Sequence, residues 1–152
     1  MINEKHIGII NVQAGDGVTI VQPANVYGCT LGDQVFIGPF TEVQRNVTIG
    51  ARTKIQSHSF VCEFVDIGED CFIGHGVMFI NDPFIKNGPA RGDKNFWRST
   101  QIGNHVSIGS NATIMPVKIC DGAVIGAGAV VTKDILKPGI YAGNPARKLR
   151  EL

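Results

Sequence analysis

Apolar residues return at every sixth position along much of this chain. Nine of them share one phase, running from Leu31 through Ile37, Val43, Ile49, Ile55, Val61, Ile67 and Ile73 to Phe79. The residue four places on is small or branched at Val35, Thr41, Val47, Thr53, Ser59, Val65, Cys71 and Val77. The phase returns at Ile102, Ile108 and Ile114, and again at Ile119, Ile125 and Val131. Such a period matches neither a helix nor the alternation of a half-buried strand. It predicts a solenoid, because a short strand plus a tight corner consumes about six residues and three such units close a triangular coil of roughly eighteen. Each inward aliphatic side chain then stacks on its counterpart one coil away, Leu31 under Ile49 and Ile49 under Ile67. Glycine follows the inward residue at Gly32, Gly38, Gly50, Gly68, Gly74, Gly103, Gly109 and Gly126, where it relieves crowding at the turn.

The interruptions are as informative as the repeat. Residues 1–30 carry two short apolar segments around Ala14-Gly15-Asp16-Gly17 and predict a first, irregular coil. From Phe79 to Ile102 is 23 residues, not a multiple of six, so about residues 82–100 leave the coil as a loop. Its Phe84, Phe96 and Trp97 argue that it docks on something, and a neighbouring subunit is the expected partner. Ile114 to Ile119 is five residues with Pro116 at the corner, a deletion that shortens a turn without inverting the stack. Beyond about residue 133 the pattern ends. There Asn144-Pro145 resembles an N-cap followed by a first-turn proline, which predicts a short C-terminal helix carrying Arg147, Lys148 and Arg150.

Composition narrows the function classes. The chain of 152 residues predicts a single domain over 1–152. With 14 Lys+Arg against 13 Asp+Glu there is no basic field for nucleic acid. No apolar run approaches a membrane span, and Met1-Ile2-Asn3-Glu4-Lys5 does not open a signal peptide, so a cytoplasmic location is expected. Cys29, Cys62, Cys71 and Cys120 form no C-x-x-C pair and are expected as reduced thiols in or near the core. A lone prism of five or six coils leaves broad β surfaces open, and three-fold assembly would cover them, so a homotrimer with clefts between chains is expected.

The hexads, the extruded loop, the run Val124-Ile125-Gly126-Ala127-Gly128-Ala129-Val130-Val131-Thr132-Lys133-Asp134 and the tail Ala142-Gly143-Asn144-Pro145-Ala146-Arg147 resemble the hexapeptide-repeat acyltransferases. The resemblance covers about residues 20–150. It implies an all-β, left-handed parallel β-helix, a trimer, and acetyl-coenzyme A as co-substrate without a metal. The handedness comes from the resemblance alone, since parallel crossovers are ordinarily right-handed. Within that superfamily, Phe72-Ile73-Gly74-His75-Gly76-Val77-Met78-Phe79-Ile80-Asn81-Asp82 and the five-residue step through Pro116 resemble the N-acetyltransferases of nucleotide-linked 3-amino sugars, whose products feed O-antigen and S-layer glycans.

Amide formation from a thioester needs an unprotonated amine within reach, a donor for the developing oxyanion and a destination for the proton. His75 and Asn81 each stand two residues after an inward apolar residue, and are expected to project outward near one corner by the loop. A neutral imidazole at His75 can accept the amine proton, and Asn81 can hold the amine lone pair towards the thioester. The resemblance implies that orienting role for the asparagine and allows the coenzyme thiolate to take the proton instead. Gly109, Gly126, Ala127 and Gly128 are expected to leave backbone amides open along a groove for the pantetheine arm, with Arg147 and Lys148 meeting phosphates. Tyr27, Arg52, His58, Phe60 and Asp82 are candidates for the sugar nucleotide. Other acceptors remain open, as does a trimeric scaffold without catalysis. The γ-class carbonic anhydrases share the fold but need three convergent histidines, and His6, His58, His75 and His105 include no pair four or five apart.

Overall fold

A computed structural model describes residues 1–152, and it is a triangular prism of seven stacked parallel coils, wound left-handedly. Face I stacks Ile9–Ile10, Asn25–Tyr27, Glu42–Val43, Phe60–Val61, Met78–Phe79, Thr113–Ile114 and Val130–Val131. Face II stacks Gln13–Ala14, Thr30–Leu31, Thr48–Ile49, Val65–Ile67, Thr100–Ile102 and Lys118–Ile119. Face III stacks Thr19–Ile20, Phe36–Ile37, Lys54–Ile55, Phe72–Ile73, Ser107–Ile108, Val124–Ile125 and Ile140–Ala142, and ends on Arg147–Arg150. The chain visits the faces in the order III, I, II, and six residues carry it one third of the way round.

The period places one large aliphatic side chain inward per strand, and the registers stack these in ladders such as Leu31, Ile49, Ile67, Ile102 and Ile119 on face II. Thirty buried apolar residues form one continuous core. Hydroxyls in the small slot serve the corners from inside: Thr53 Oγ1 donates to the Gly68 carbonyl at 2.8 Å and Ser59 Oγ to Gly74 at 3.0 Å. Residues 1–30 close the first coil as expected, with Ile9 and Ile10 paired to Val26 and Tyr27. The short step after Ile114 leaves Ile119 in register on Ile102. No helix is long and apolar enough to cross a membrane.

One expectation changes, and the loop gains an anchor within the chain. The terminal helix does not form; Arg147–Arg150 is instead a strand antiparallel to Ile140–Ala142. The last coil exposes a row of unpaired backbone groups, and the returning tail satisfies them, which a separate helix would not. The extruded loop also needs no neighbour to hold its root. Lys94 Nζ donates to Glu63 Oε2 at 2.6 Å, the Trp97 ring meets Phe64 edge-on at 6.2 Å between centroids, and the Arg98 amide donates to the Asn81 carbonyl at 2.8 Å. Glu63 is buried on the corner between faces I and II, so it gives the loop's ammonium a partner on its own chain. Phe84 and Ile85 stay exposed at the loop's tip.

Candidate active site

The corner between faces III and I gathers most of the chemistry. Successive coils place there Pro39-Phe40, Ser57-His58, His75-Gly76, Ser110-Asn111 and Ala127-Gly128, about 4.8 Å apart along the stack. Phe40, His58, Gly76, Asn111 and Gly128 occupy the same turn position, with φ between 58° and 69°. That left-handed slot tips each residue outward, and it explains why glycine or asparagine fills three of the five. His58 and His75, seventeen residues apart, do meet: Ser57 Oγ lies 2.9 Å from His75 Nδ1 and 3.0 Å from His58 Nδ1. The Phe40 ring rests against His58 at 5.0 Å. Neither Ser57 nor Phe40 carries a motif, and only their coil-to-coil spacing from His75 and His58 marks them.

Asn81 stands elsewhere. Six residues past His75, it lies at the next corner, between faces I and II, where its Nδ2 donates to the Glu63 carbonyl at 3.2 Å. A shared slot in consecutive hexads therefore puts two residues a third of a coil apart, and only a spacing of one whole coil puts them together. Around Asn81 the polar groups are linked. Tyr27 Oη donates to Glu42 Oε1 at 3.2 Å, Gln44 Nε2 to the same oxygen at 2.9 Å, and the Glu63 amide to Gln44 Oε1 at 3.2 Å. Burial, then the Glu42 carboxylate, pushes the Tyr27 phenol up from its ordinary value. Phe60 lies between these two corners on face I, half-buried between Glu42 and Met78.

Two substrate candidates are already engaged. Arg52 sits on the third corner, its Nε 2.7 Å from Asp70 Oδ1 and its Nη2 2.8 Å from Glu69 Oε2, so its charge is matched twice over. Asp82 spends both oxygens inside the loop, on the Phe84 amide at 3.1 Å and the Ala90 amide at 2.7 Å. Neither is positioned to hold a sugar nucleotide as a free group.

The glycine track is also redistributed. The amides of Gly109, Gly126 and Gly128 donate to Ile125, Tyr141 and Ser110, so the ladder uses them. The amides left without a partner belong to the residues beside them, His75, Ser110 and Ala127, which repeat up the same corner. The glycines keep the backbone close: a Cβ on Gly109 would fall 2.4 Å from the Ala127 amide nitrogen. At the C-terminal end of the prism, a cavity of about 340 Å³ is lined by Thr132, Lys133, Asp134, Tyr141, Arg147 and Lys148. Arg147 bonds only the carbonyl of Ala146 next to it, whereas Lys148 pairs with Glu151, which raises its pKa. A row of open amides thus climbs from His75 towards the end of the prism that carries Arg147 and Lys148.

No three His, Cys, Asp or Glu side chains converge to hold a metal ion. His105 lies on the Arg52 corner, its Nδ1 4.0 Å from Asp70. Cys29 and Cys62 are buried, and desolvation pushes their thiols up to about 11 and about 12.

Two family models match the chain: "Bacterial transferase hexapeptide (six repeats)" over residues 28–63 and "Hexapeptide repeat of succinyl-transferase" over residues 99–133. Among curated proteins, the bifunctional protein GlmU of Mycobacterium ulcerans is 38% identical over 128 residues, which is 82% of this chain and 23% of that protein. The chain thus spans about a quarter of that relative's length. Among solved structures, a variant of AntD, an N-acyltransferase from Bacillus cereus in complex with dTDP and coenzyme A, superposes with TM-score 0.80 at 24% identity, over 93% of this chain and 83% of that one. A variant of perosamine N-acetyltransferase from Caulobacter crescentus, in complex with CoA and GDP-perosamine, gives TM-score 0.68 at 18% identity over 90% and 56%. At these identities the structural likeness establishes the left-handed β-helix.

Proposed function

The chain belongs to the hexapeptide-repeat superfamily, and from that premise we propose that it is an acetyl-coenzyme A-dependent N-acetyltransferase acting on the 3-amino group of a UDP- or dTDP-linked amino sugar. One observation carries this: His75 shares a corner with the unpartnered amides of Ser110 and Ala127, a row that climbs towards the end of the prism that carries Arg147 and Lys148. Pantetheine carries amide groups that accept hydrogen bonds from such a row, and the adenosine phosphates need cations at its far end. An extended coenzyme laid along that corner brings its thioester to the level of His75. The CoA and nucleotide in the AntD complex and the CoA and nucleotide sugar in the perosamine enzyme support the pairing of substrates.

The sugar amine attacks the acetyl carbonyl directly. The C–N bond forms as the C–S bond breaks, and His75 takes the proton that the amine loses. It passes that proton to the departing thiolate, so the coenzyme leaves as its thiol and the imidazole returns neutral. Asn81 accepts a hydrogen bond from the amine across a subunit boundary, because within one protomer it stands at the other edge of face I. The working unit is accordingly a homotrimer. Its contact surface is the pair of faces flanking His75, which carry the exposed Phe72 and Met78 on either side of Phe40.

An acetyl-coenzyme A consumption assay against a panel of UDP- and dTDP-3-amino sugars tests the activity. Turnover of at least one such sugar is expected, and acetylation of none, with intact coenzyme binding by calorimetry, would remove the acceptor class. Asn81→Ala should lower kcat by about a hundredfold or more with the trimer unchanged, a loss in the range of a positioned polar group at a reacting centre.

A further inference from the structure

The His58, Ser57, His75 row contains a constraint that neither histidine shows alone. A serine hydroxyl has one hydrogen to give, and Ser57 Oγ stands within hydrogen-bond distance of Nδ1 on both imidazoles, at 3.0 and 2.9 Å. It has no other partner in the chain, and no carboxylate or carbonyl holds any ring nitrogen of His58 or His75. One hydrogen cannot serve two bare Nδ1 atoms, so both bonds are made when Ser57 donates to one Nδ1 and accepts from an Nδ1–H on the other, or when it accepts from both. A free imidazole favours the Nε2–H form, and the opposed pair moves only one ring away from it. A neutral imidazole protonated at Nδ1 has a bare Nε2, and one with a bare Nδ1 carries its proton on Nε2.

We propose that Ser57 locks His58 and His75 into opposite tautomers, so that the corner presents one basic Nε2 and one Nε2–H donor side by side. Ser57 is then a positioning residue acting through two rings. His58 becomes a functional partner of His75, and the Phe40 ring at 5.0 Å holds its plane. The catalytic use of the pair rests on the acetyl-transfer function proposed above: the bare Nε2 takes the proton of the acceptor's amine, and the Nε2–H faces an oxygen, of the thioester carbonyl or of a phosphate. A single hydroxyl hydrogen between two imidazoles also prevents both from presenting Nε2–H while both bonds are made, which would leave the site with two donors and no base.

Long-range ¹H–¹⁵N spectra of protein labelled at histidine, recorded where both imidazoles are neutral, read the tautomers directly and need no substrate. One of the two rings should show a protonated Nδ1 and the other a protonated Nε2. Ser57→Ala should release both to the mixture of a free imidazole, and Ser57→Thr, which keeps the hydroxyl, should restore the opposed pair. The same tautomer on both rings of the unaltered protein, or spectra unchanged by Ser57→Ala, would overturn the lock. Should Ser57→Ala misfold, His58→Phe keeps a flat ring against Phe40 and leaves Ser57 one imidazole, and the His75 signals should then move. In the acetyltransferase assay Ser57→Ala should lower kcat about two- to tenfold, the range of one neutral hydrogen bond, with KM for acetyl-coenzyme A unchanged. Opposed tautomers in a chain that acetylates no amino sugar would leave the lock standing and remove its proposed use.

Discussion

Gly109 and Gly128 lie on the same corner and meet opposite constraints. A Cβ on Gly109 would stand 2.4 Å from the Ala127 nitrogen and 2.8 Å from its Cα, both backbone atoms that cannot swing away. A Cβ on Gly128 would touch nothing within 4 Å, but its φ is +69°. Gly109→Ala should therefore cost about 1–3 kcal/mol as the coils are forced apart, and calorimetry should show a Tm several degrees lower together with weaker coenzyme binding. Gly128→Ala should cost only the left-handed strain, about 1–2 kcal/mol, without disturbing the neighbouring coil. Arg52 was open to a phosphate role from sequence because its partners, Glu69 and Asp70, lie seventeen and eighteen positions away, one coil up. Hydrogen bonding from Arg52 holds the Asp70 carboxyl below its ordinary value of 3.8. A depressed carboxylate stabilises the fold above its unfolded pKa, and the contribution fades as pH falls through the folded value. Arg52→Gln should therefore flatten the decline of Tm below about pH 4, an effect that added salt reduces. Residues like this one become legible in sequence only when they are compared with their counterparts one whole coil away.

At the scale of the element, the strands were legible and the departures from them less so. Hexad phase located every coil from Leu31 to Val131 and both irregularities, because buried positions tolerate little besides branched aliphatics. The C-terminal tail was misleading for a physical reason: Asn144-Pro145 carries a helix-start signature, but local signals lose to an open sheet edge that needs hydrogen-bond partners. The loop was found by its broken phase, yet its anchor was hidden, since Lys94 reaches Glu63 across 31 positions. That anchor makes a test. Lys94→Met leaves the Glu63 carboxylate with only Arg45 at 3.8 Å and Asn46 at 3.4 Å. A largely buried carboxylate that loses its shortest partner costs about 1–3 kcal/mol, and the chain relieves it by letting the loop lift. Limited proteolysis should then cut within residues 82–99 several times faster, and hydrogen exchange should rise there while the coils on either side keep their protection. Equal cleavage of both proteins would mean that Trp97 on Phe64 and the Arg98 amide on Asn81 hold the loop without the lysine.

The three faces of the prism differ in a way that bears on assembly. Face II turns Thr30, Thr48, Asp66, Gln101 and Lys118 outward, all polar, whereas face I turns out Phe60 and Met78 and face III Phe36 and Phe72. Phe72, Met78 and Phe40 are 44%, 39% and 59% exposed, and they surround the corner that carries His75. Large apolar groups clustered on two adjoining faces mark a surface that associates, and the polar third face is suited to solvent. The expectation of a trimer came from the need to cover β surfaces, but sequence alone did not say which corner is enclosed, because that depends on which hexads share a face. Placing a charge on each face separates the possibilities. Phe72→Glu and Met78→Glu each force a carboxylate into the proposed contact, where desolvation costs several kcal/mol, and should weaken the trimer more than tenfold by analytical ultracentrifugation. Thr48→Glu on face II should leave the mass unchanged. Acetyl transfer should fall in step with dissociation, because in the proposed site Asn81 and His75 meet one amine from two different chains; full activity in a dissociated Phe72→Glu protein would place the whole reaction within a single prism.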